Sequence, residues 1–232
     1  MNNPELMLIL AFGCGLMCVM ISVQMKWYGI SMWKSVIVSL ALVFTGLFGS
    51  RIWYFVENGN YGGRSFYGAV FFAPLVFFAV AKLFRIPYLQ ALDFCAPAGS
   101  LTLALVKIQC LRDKCCQGKI LYIDENQEYV RFPSQMVEMI AFVIICIILF
   151  LLSSRKIMRG KIFPCFLVLY GASRFVLNFF RYIESTYAFG LSAGSFWSLI
   201  SFCIGMFWLI LSFTIFFKKG DTFSSKEGKC FN

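Results

Sequence analysis

The residues in this sequence best suited to chemistry are charged side chains inside apolar segments. Arg174 and Asn178 are four residues apart, and Arg174 and Arg181 are seven apart, so a helix would present all three on one face. Glu138, just inside another apolar segment, is the acidic partner expected for one of these arginines. A charge within the membrane is costly, so such a face either binds an anion or holds helices together through an ion pair. Both interpretations stay open from the residues alone.

Two further cations, Lys107 and Arg51, lie near the ends of other apolar segments. With a rise of about 1.5 Å per residue, both fall in the outer halves of their helices, as Arg174 does in its own. Long stems would also let these two side chains reach the membrane surface. Three cations at one depth favour an anionic ligand.

Seven apolar segments must position these residues. The chain is 60% hydrophobic and only 14% charged, which a soluble domain could hardly sustain, and a spanning helix needs roughly 20 apolar residues. We therefore predict an all-α, polytopic integral membrane protein of about seven transmembrane helices, forming a single domain over residues 1–232. The predicted spans are 6–25, 36–56, 66–83, 89–111, 136–152, 162–180 and 193–217. A short, basic cytoplasmic tail, 218–232, follows the last span.

The basic residues predict an orientation with the N-terminus outside and the C-terminus in the cytoplasm. In that orientation 12 of the 21 lysines and arginines lie on the inner side, as the positive-inside rule requires. The outer loop from Arg112 to Arg131 carries equal numbers of basic and acidic residues. The N-terminal LAFGC string looks like a lipoprotein signal, but Glu5 and the lack of a basic region before it favour a first membrane anchor.

Five strings, in order, resemble segments of the prolipoprotein diacylglyceryl transferase family. They are GSRIWYFVENG (49–59), SFYGA (65–69), the run from Ala91 to Lys119, FPSQMVE (132–138) and YGASRFVLNFFR (170–181). The last, similar to the family's Y-G-x-x-R-F-x-x-E-F-F-R, is the most specific. The resemblance implies a seven-helix enzyme of the bacterial plasma membrane that moves diacylglyceryl from phosphatidylglycerol to the lipobox cysteine thiol of a preprolipoprotein. It implies no metal and no cofactor.

The resemblance, together with the charges, assigns catalytic roles to Arg174, Tyr67 and Lys107, with Arg174 as the phosphate clamp. The residues assigned to substrate binding are Arg51, Gly68, Gln135, Glu138, Asn178 and Arg181. A thiolate must displace a phosphate ester from a glycerol carbon in this reaction. Cations that hold the headgroup and stabilise the departing phosphate suit that chemistry.

The sequence departs from the family pattern at positions important for catalysis. The chain has no histidine, and the family's motif histidine, often proposed as the base, is Tyr67 here. Tyrosine is a poor general base at neutral pH. Lys107 replaces the central signature arginine, Asn178 the usual glutamate and Ser195 a common glutamine. Either a thiol ionises beside several cations without a dedicated base, or the chain is a non-catalytic or altered-substrate paralogue that binds anionic phospholipid.

Other classes of function have less support. A small-solute membrane transporter predicts inverted repeats and charges spread through the membrane depth, and the sequence displays neither. Cys110, Cys115 and Cys116 cluster near the outer surface, but adjacent cysteines without histidine are poor tetrahedral ligands, so no metal site is predicted. A structural or disulfide role is the milder interpretation. The basic residues lie at helix ends and form no single face, so nucleic acid is not an expected partner.

Overall fold

The computed structural model is all-α apart from one short hairpin. It describes residues 4–60, 65–112, 117–123, 129–181 and 189–227, without the side chains of 4–10, 109 and 215–227. The helices are α1 (Pro4–Tyr28), α2 (Lys34–Phe44), α3 (Ser50–Asn58), α4 (Phe66–Phe84), α5 (Tyr88–Arg112), α6 (Ser134–Ser153), α7 (Ile162–Asn178) and α8 (Ala193–Glu227). A π-helical turn, Thr45–Gly49, joins α2 to α3, and a 3-10 turn, Lys156–Met158, precedes α7.

Among the described residues, five helical stretches are long and apolar enough to cross a membrane. They are Lys34–Asn58, Phe66–Phe84, Tyr88–Arg112, Ser134–Ser153 and Ala193–Thr214. The apolar α7 is shorter, with 17 residues, and α1 has 25. Large apolar side chains such as Leu75, Leu83 and Phe207 are more than 60% exposed on these helices. The prediction of an all-α membrane protein is thus confirmed, because lipid is the solvent that such a surface fits.

Each predicted span overlaps at least one observed helix, and the second and the last span differ most from the prediction, while the number of membrane crossings stays a prediction. The second predicted span, 36–56, is interrupted by the π-helical turn and so consists of α2 and α3. The backbone of α8 continues to Glu227, into the segment expected to form the tail. Residues 228–232 of that tail lie outside the described residues.

Glycines bring helix backbones into contact beneath the candidate site. A Cβ atom on Gly68 of α4 would lie 2.1 Å from the carbonyl oxygen of Gly49 and 2.4 Å from Cβ of Trp53, so α4 packs directly on the π-helical turn and α3. A Cβ atom on Gly171 of α7 would similarly lie 2.6 Å from the carbonyl oxygen of Ser198 in α8. Small residues permit such close approach between membrane helices. These contacts fix α3 against α4, and α7 against α8.

A buried carboxylate holds the N-terminus of α7. Asp93 of α5 accepts hydrogen bonds from the backbone N–H groups of Gly160, Ile162 (2.9 Å) and Phe163 (3.2 Å), and from the hydroxyl of Tyr28 (3.2 Å). The first N–H groups of a helix lack partners within the helix, and a negative charge there also interacts favourably with the helix dipole. Asp93 therefore sets the position of α7, the helix that carries the arginine face at its other end.

Candidate active site

Glu138 is the centre of a buried cluster of charges. Its carboxylate Oε2 contacts Nζ of Lys107 on α5 and lies 2.5 Å from Nη1 of Arg174 on α7. Its Oε1 lies 3.7 Å from Nε of Arg181, just beyond α7. Glu138 is fully buried, and the three cationic side chains are at most 16% exposed. Three positive charges against one negative leave a formal excess of two positive charges, which an anion would neutralise.

The cations face a cavity of about 410 Å³ between α3, α4, α5, α7 and the start of α8. Lys107, Arg174 and Arg181 all line it. Its apolar lining comes from Leu103, Val106, Phe142 and Trp197. A cavity of this size, with a mostly apolar wall and a few convergent polar groups, is typical of a small-molecule site. Its mixture of cations and apolar side chains suits a ligand with an anionic head and a hydrocarbon body.

Tyr67 also lines this cavity, and its hydroxyl already has an acceptor. The buried Tyr67 donates to the carbonyl oxygen of Gly194, at the start of α8, over 2.7 Å. The ring of Tyr170 lies edge-on to it, with 6.0 Å between centroids, and the Arg174 guanidinium lies beside both phenols. Tyr67 thus bridges α4 to α8 and supports Arg174, which is a positioning arrangement and not that of a base.

Asn178 lies next to the cavity without lining it. Its amide donates to the hydroxyl oxygens of Ser192 (2.5 Å) and Ser195 (2.6 Å), and it is 3% exposed. Two of the departures from the family pattern, Asn178 and Ser195, are therefore in direct contact. Together they join the end of α7 to the start of α8, beside Gly194 in the cavity wall.

Three other residues assigned to substrate binding do not line the cavity. Arg51 is exposed on the first turn of α3. Gly68 is buried where α4 meets the π-helical turn, and its contacts there are packing contacts. Gln135 is buried at the start of α6, three residues before Glu138. The structure thus brings together Lys107, Arg174, Arg181, Glu138 and Tyr67. The roles assigned to these residues and to the other three stay predictions.

The hairpin between α5 and α6 helps to position Arg181. Strands β1 (Ile120–Ile123) and β2 (Tyr129–Arg131) pair antiparallel. Just before β1, the N–H of Lys119 donates to the carbonyl oxygen of Phe180 over 2.9 Å, and Gly118 forms a bridge with Arg181. The rings of Phe132 and Phe180 stack at 5.1 Å. These contacts hold the chain beyond α7 over the cavity.

Glu57 is a cavity residue that the sequence analysis missed. It lies in the last turn of α3, is half-buried and lines the same cavity as the three cations. Nε1 of Trp53, four residues earlier on the helix, donates to its Oε1 over 3.1 Å. The sequence does contain a signal for this residue, because it is acidic, lies at the outer end of a predicted span and follows a tryptophan by four residues.

The cysteine cluster contributes one described residue to the cavity. Cys110 lines it at the end of α5, whereas Cys115 and Cys116 lie outside the described residues. Within the described part of the chain, no group of three or more histidine, cysteine, aspartate or glutamate residues could hold a metal ion.

Comparisons with known proteins point to one family. The family model described as prolipoprotein diacylglyceryl transferase matches residues 5–211, from α1 into α8. The phosphatidylglycerol–prolipoprotein diacylglyceryl transferase of Tropheryma whipplei (strain TW08/27) is 27% identical over 186 residues, which cover 65% of this chain and 67% of that protein. The proteins of the same name from Acinetobacter baumannii (strain SDF) and Geobacter sulfurreducens (strain ATCC 51573 / DSM 12127 / PCA) are 28% and 29% identical. Those alignments cover 65% and 58% of this chain, and 63% and 54% of the relatives.

Proposed function

This chain belongs to the prolipoprotein diacylglyceryl transferase family, and we propose that it transfers diacylglyceryl from phosphatidylglycerol to the lipobox cysteine thiol of preprolipoproteins. The names of its similar proteins specify both the lipid donor and the prolipoprotein acceptor. The observation that carries the proposal is the excess of two positive charges where Lys107, Arg174 and Arg181 surround Glu138 at the cavity wall. A cationic wall and an apolar interior fit the headgroup phosphate and the glyceryl carbons of the donor.

The formal charge of the cluster around Glu138 matches the product better than the substrate. Phosphatidylglycerol is a phosphodiester with one negative charge, whereas the glycerol 1-phosphate that leaves is a monoester approaching two negative charges. As sulfur attacks the glycerol carbon, the C–O bond breaks and its electron pair stays on the phosphate oxygen. Interactions that strengthen as charge develops lower the barrier to reaction. Arg174 is the clamp for that phosphate, because Glu138, Tyr67 and Tyr170 hold its planar guanidinium in place.

We place the cavity on the outer side of a bacterial plasma membrane that the chain crosses seven times. In this topology the N-terminus is outside, the C-terminus is cytoplasmic, and α1 and α7 add two spans to the five long apolar stretches. The distribution of lysine and arginine supports this orientation. The donor lipid enters the cavity sideways from the outer leaflet in this proposal.

A transfer assay with arginine variants tests the function. Purified protein in phosphatidylglycerol-containing detergent is incubated with a lipobox peptide, and peptide mass and released glycerol phosphate are followed. The expected result is a diacylglyceryl mass gain that Arg174→Ala abolishes and that Arg174→Lys, which keeps the charge but loses the fork, reduces by at least tenfold. Arg155→Ala, an exposed arginine outside the cavity, is the matched control. Unchanged activity of Arg174→Lys would remove the clamp role.

The alternative is a non-catalytic paralogue that binds anionic phospholipid. It is favoured by the absence of histidine and by the hydroxyl of Tyr67, which is engaged with Gly194. Folded protein that binds phosphatidylglycerol but never adds mass to the peptide would establish this alternative.

A further inference from the structure

The proposed transfer requires a group that accepts the proton of the lipobox thiol, because the thiolate is the nucleophile. The chain offers no histidine for this task. The carboxylate of Glu138 is occupied by three cations and does not line the cavity. The hydroxyl of Tyr67 donates to a backbone carbonyl oxygen. Neither group is therefore arranged as a proton acceptor for a molecule in the cavity.

Glu57 has the geometry that these two residues lack. It lines the cavity from α3, whereas the cations reach the cavity from α5 and from the end of α7. One carboxylate oxygen, Oε1, accepts from Nε1 of Trp53 at 3.1 Å. Within the described residues, the other oxygen has no hydrogen-bond partner and no cation lies within ion-pair distance of the carboxylate. Glu57 is thus an available acceptor in a wall separate from the phosphate clamp.

Aromatic packing fixes the orientation of this carboxylate. The Trp53 ring meets the Trp197 ring edge-on at 4.9 Å between centroids and lies 5.1 Å from the Phe71 ring. Cβ of Trp53 also packs against the backbone at Gly68. A base whose supporting side chain is held by packing is preorganised for proton transfer. Trp53 is accordingly a positioning residue for Glu57.

We propose that Glu57 is the general base that activates the lipobox cysteine. Its free carboxylate oxygen takes the proton from the thiol as sulfur bonds to the glycerol carbon. The bond from that carbon to the phosphate oxygen breaks, and its electron pair leaves with glycerol 1-phosphate toward Arg174 and Lys107. The proton then passes from Glu57 to water or to the phosphate monoester, which restores the carboxylate. This inference rests on the proposed transferase function.

Glu57→Gln tests the role, because glutamine has the same shape and can still accept from Trp53. With a cysteine lipobox peptide at neutral pH, we expect kcat to fall about 10²- to 10⁴-fold, the usual contribution of a general base. The affinity for phosphatidylglycerol and the thermal unfolding of the variant should stay close to those of the wild type. Glu57→Asp should keep part of the activity, and Trp53→Phe should lower kcat by less than Glu57→Gln.

A selenocysteine lipobox peptide separates a base from a structural residue, since a selenol is already ionised at neutral pH. The Glu57→Gln variant should recover most of its lost rate with this peptide. It should also recover with the cysteine peptide as the pH approaches the thiol pKa of about 8.5. If Glu57→Gln kept the wild-type kcat, or lost equal activity with both peptides, the proposed role of Glu57 as base would be overturned, but the transferase function would not. A wild-type protein inactive with either peptide would instead overturn the transferase function, and the base with it.

Discussion

The charge cluster around Glu138 predicts that a neutral residue there weakens the fold and strengthens anion binding at once. Glu138→Gln preserves the side-chain shape but removes the single negative charge among Lys107, Arg174 and Arg181. The formal excess of positive charge in the cluster rises from two to three. An added anion should therefore repair part of the damage.

The magnitude of the destabilisation follows from the burial of the cluster. Removing one partner of a buried ion pair typically costs about 3–5 kcal/mol, because the remaining charge stays in a poorly solvated place. Chains of about this size lose about 2–4 °C in Tm for each kcal/mol, so the expected fall is about 6–20 °C. One additional unit charge about 4 Å from an anion, at an effective dielectric constant of about 20, is worth about 4 kcal/mol before solvation costs. We therefore expect at least tenfold tighter binding of inorganic phosphate.

Thermal unfolding of purified protein, with and without inorganic phosphate, measures both effects. The matched control is Asp93→Asn, the corresponding acid-to-amide substitution at the opposite end of α7. The Asp93 carboxylate caps backbone N–H groups and, among the described residues, forms no ion pair with a lysine or arginine. Both variants should unfold at lower temperature, but only Glu138→Gln should show a larger phosphate-induced rise in Tm than the wild type. Equal rises in the two variants, or an unchanged Tm for Glu138→Gln, would refute this account of the cluster.

Three further substitutions test the neighbouring contacts. Gly68→Ala should reduce the accumulation of folded protein, because its Cβ would lie 2.1 Å from a backbone oxygen; normal accumulation and Tm would mean that α4 moves away easily. Tyr67→Phe leaves the Gly194 carbonyl oxygen without its donor, so kcat/KM should fall about tenfold, as expected for an unsatisfied buried acceptor. If Tyr67→His is instead more active than the wild type, this chain is a weakened relative of the histidine-containing enzymes. Arg51→Ala should lower kcat/KM less than threefold because Arg51 is exposed and does not line the cavity, and a loss matching that of Arg174→Ala would contradict this.

The helices and the charge cluster were predictable from local patterns. Apolar runs of spanning length predicted the helices. The expectation that Arg174, Asn178 and Arg181 share one helix face was wrong for Arg181, because α7 ends at Asn178. The expected pair between Glu138 and an arginine is present. The convergence of Lys107 and Arg181 on the same carboxylate depends on how α5, α6 and the end of α7 pack, and no local pattern carries that information.

The Asp93 cap, the π-helical turn, the position of Glu57 and the hairpin were not predicted from the sequence. The Asp93 cap joins residues 67–70 positions apart in sequence. The π-helical turn at Thr45–Gly49 has the composition of an ordinary apolar helix, so no local pattern predicted it. Glu57 lines the cavity through the packing of α3 on α4, where Gly68 permits close approach, and no local pattern carries that information. Among these unpredicted features, the hairpin had the clearest sequence signal, because the segments ILYI and YVR are rich in β-branched and aromatic residues.

Asp93 holds the N-terminus of the short α7, which is the cytoplasmic end in the proposed orientation, and we therefore expect membrane thickness to affect catalysis. The 17 residues of α7 span about 26 Å, less than the roughly 30 Å of a typical hydrocarbon core. Arg174 therefore lies at a fixed height, about 18 Å from Ile162, whatever lipids surround the protein. Longer acyl chains raise the phosphate plane above the clamp, and the bilayer must thin locally to bring it back. In vesicles of graded acyl-chain length, transfer should be fastest where the hydrophobic thickness matches this helix.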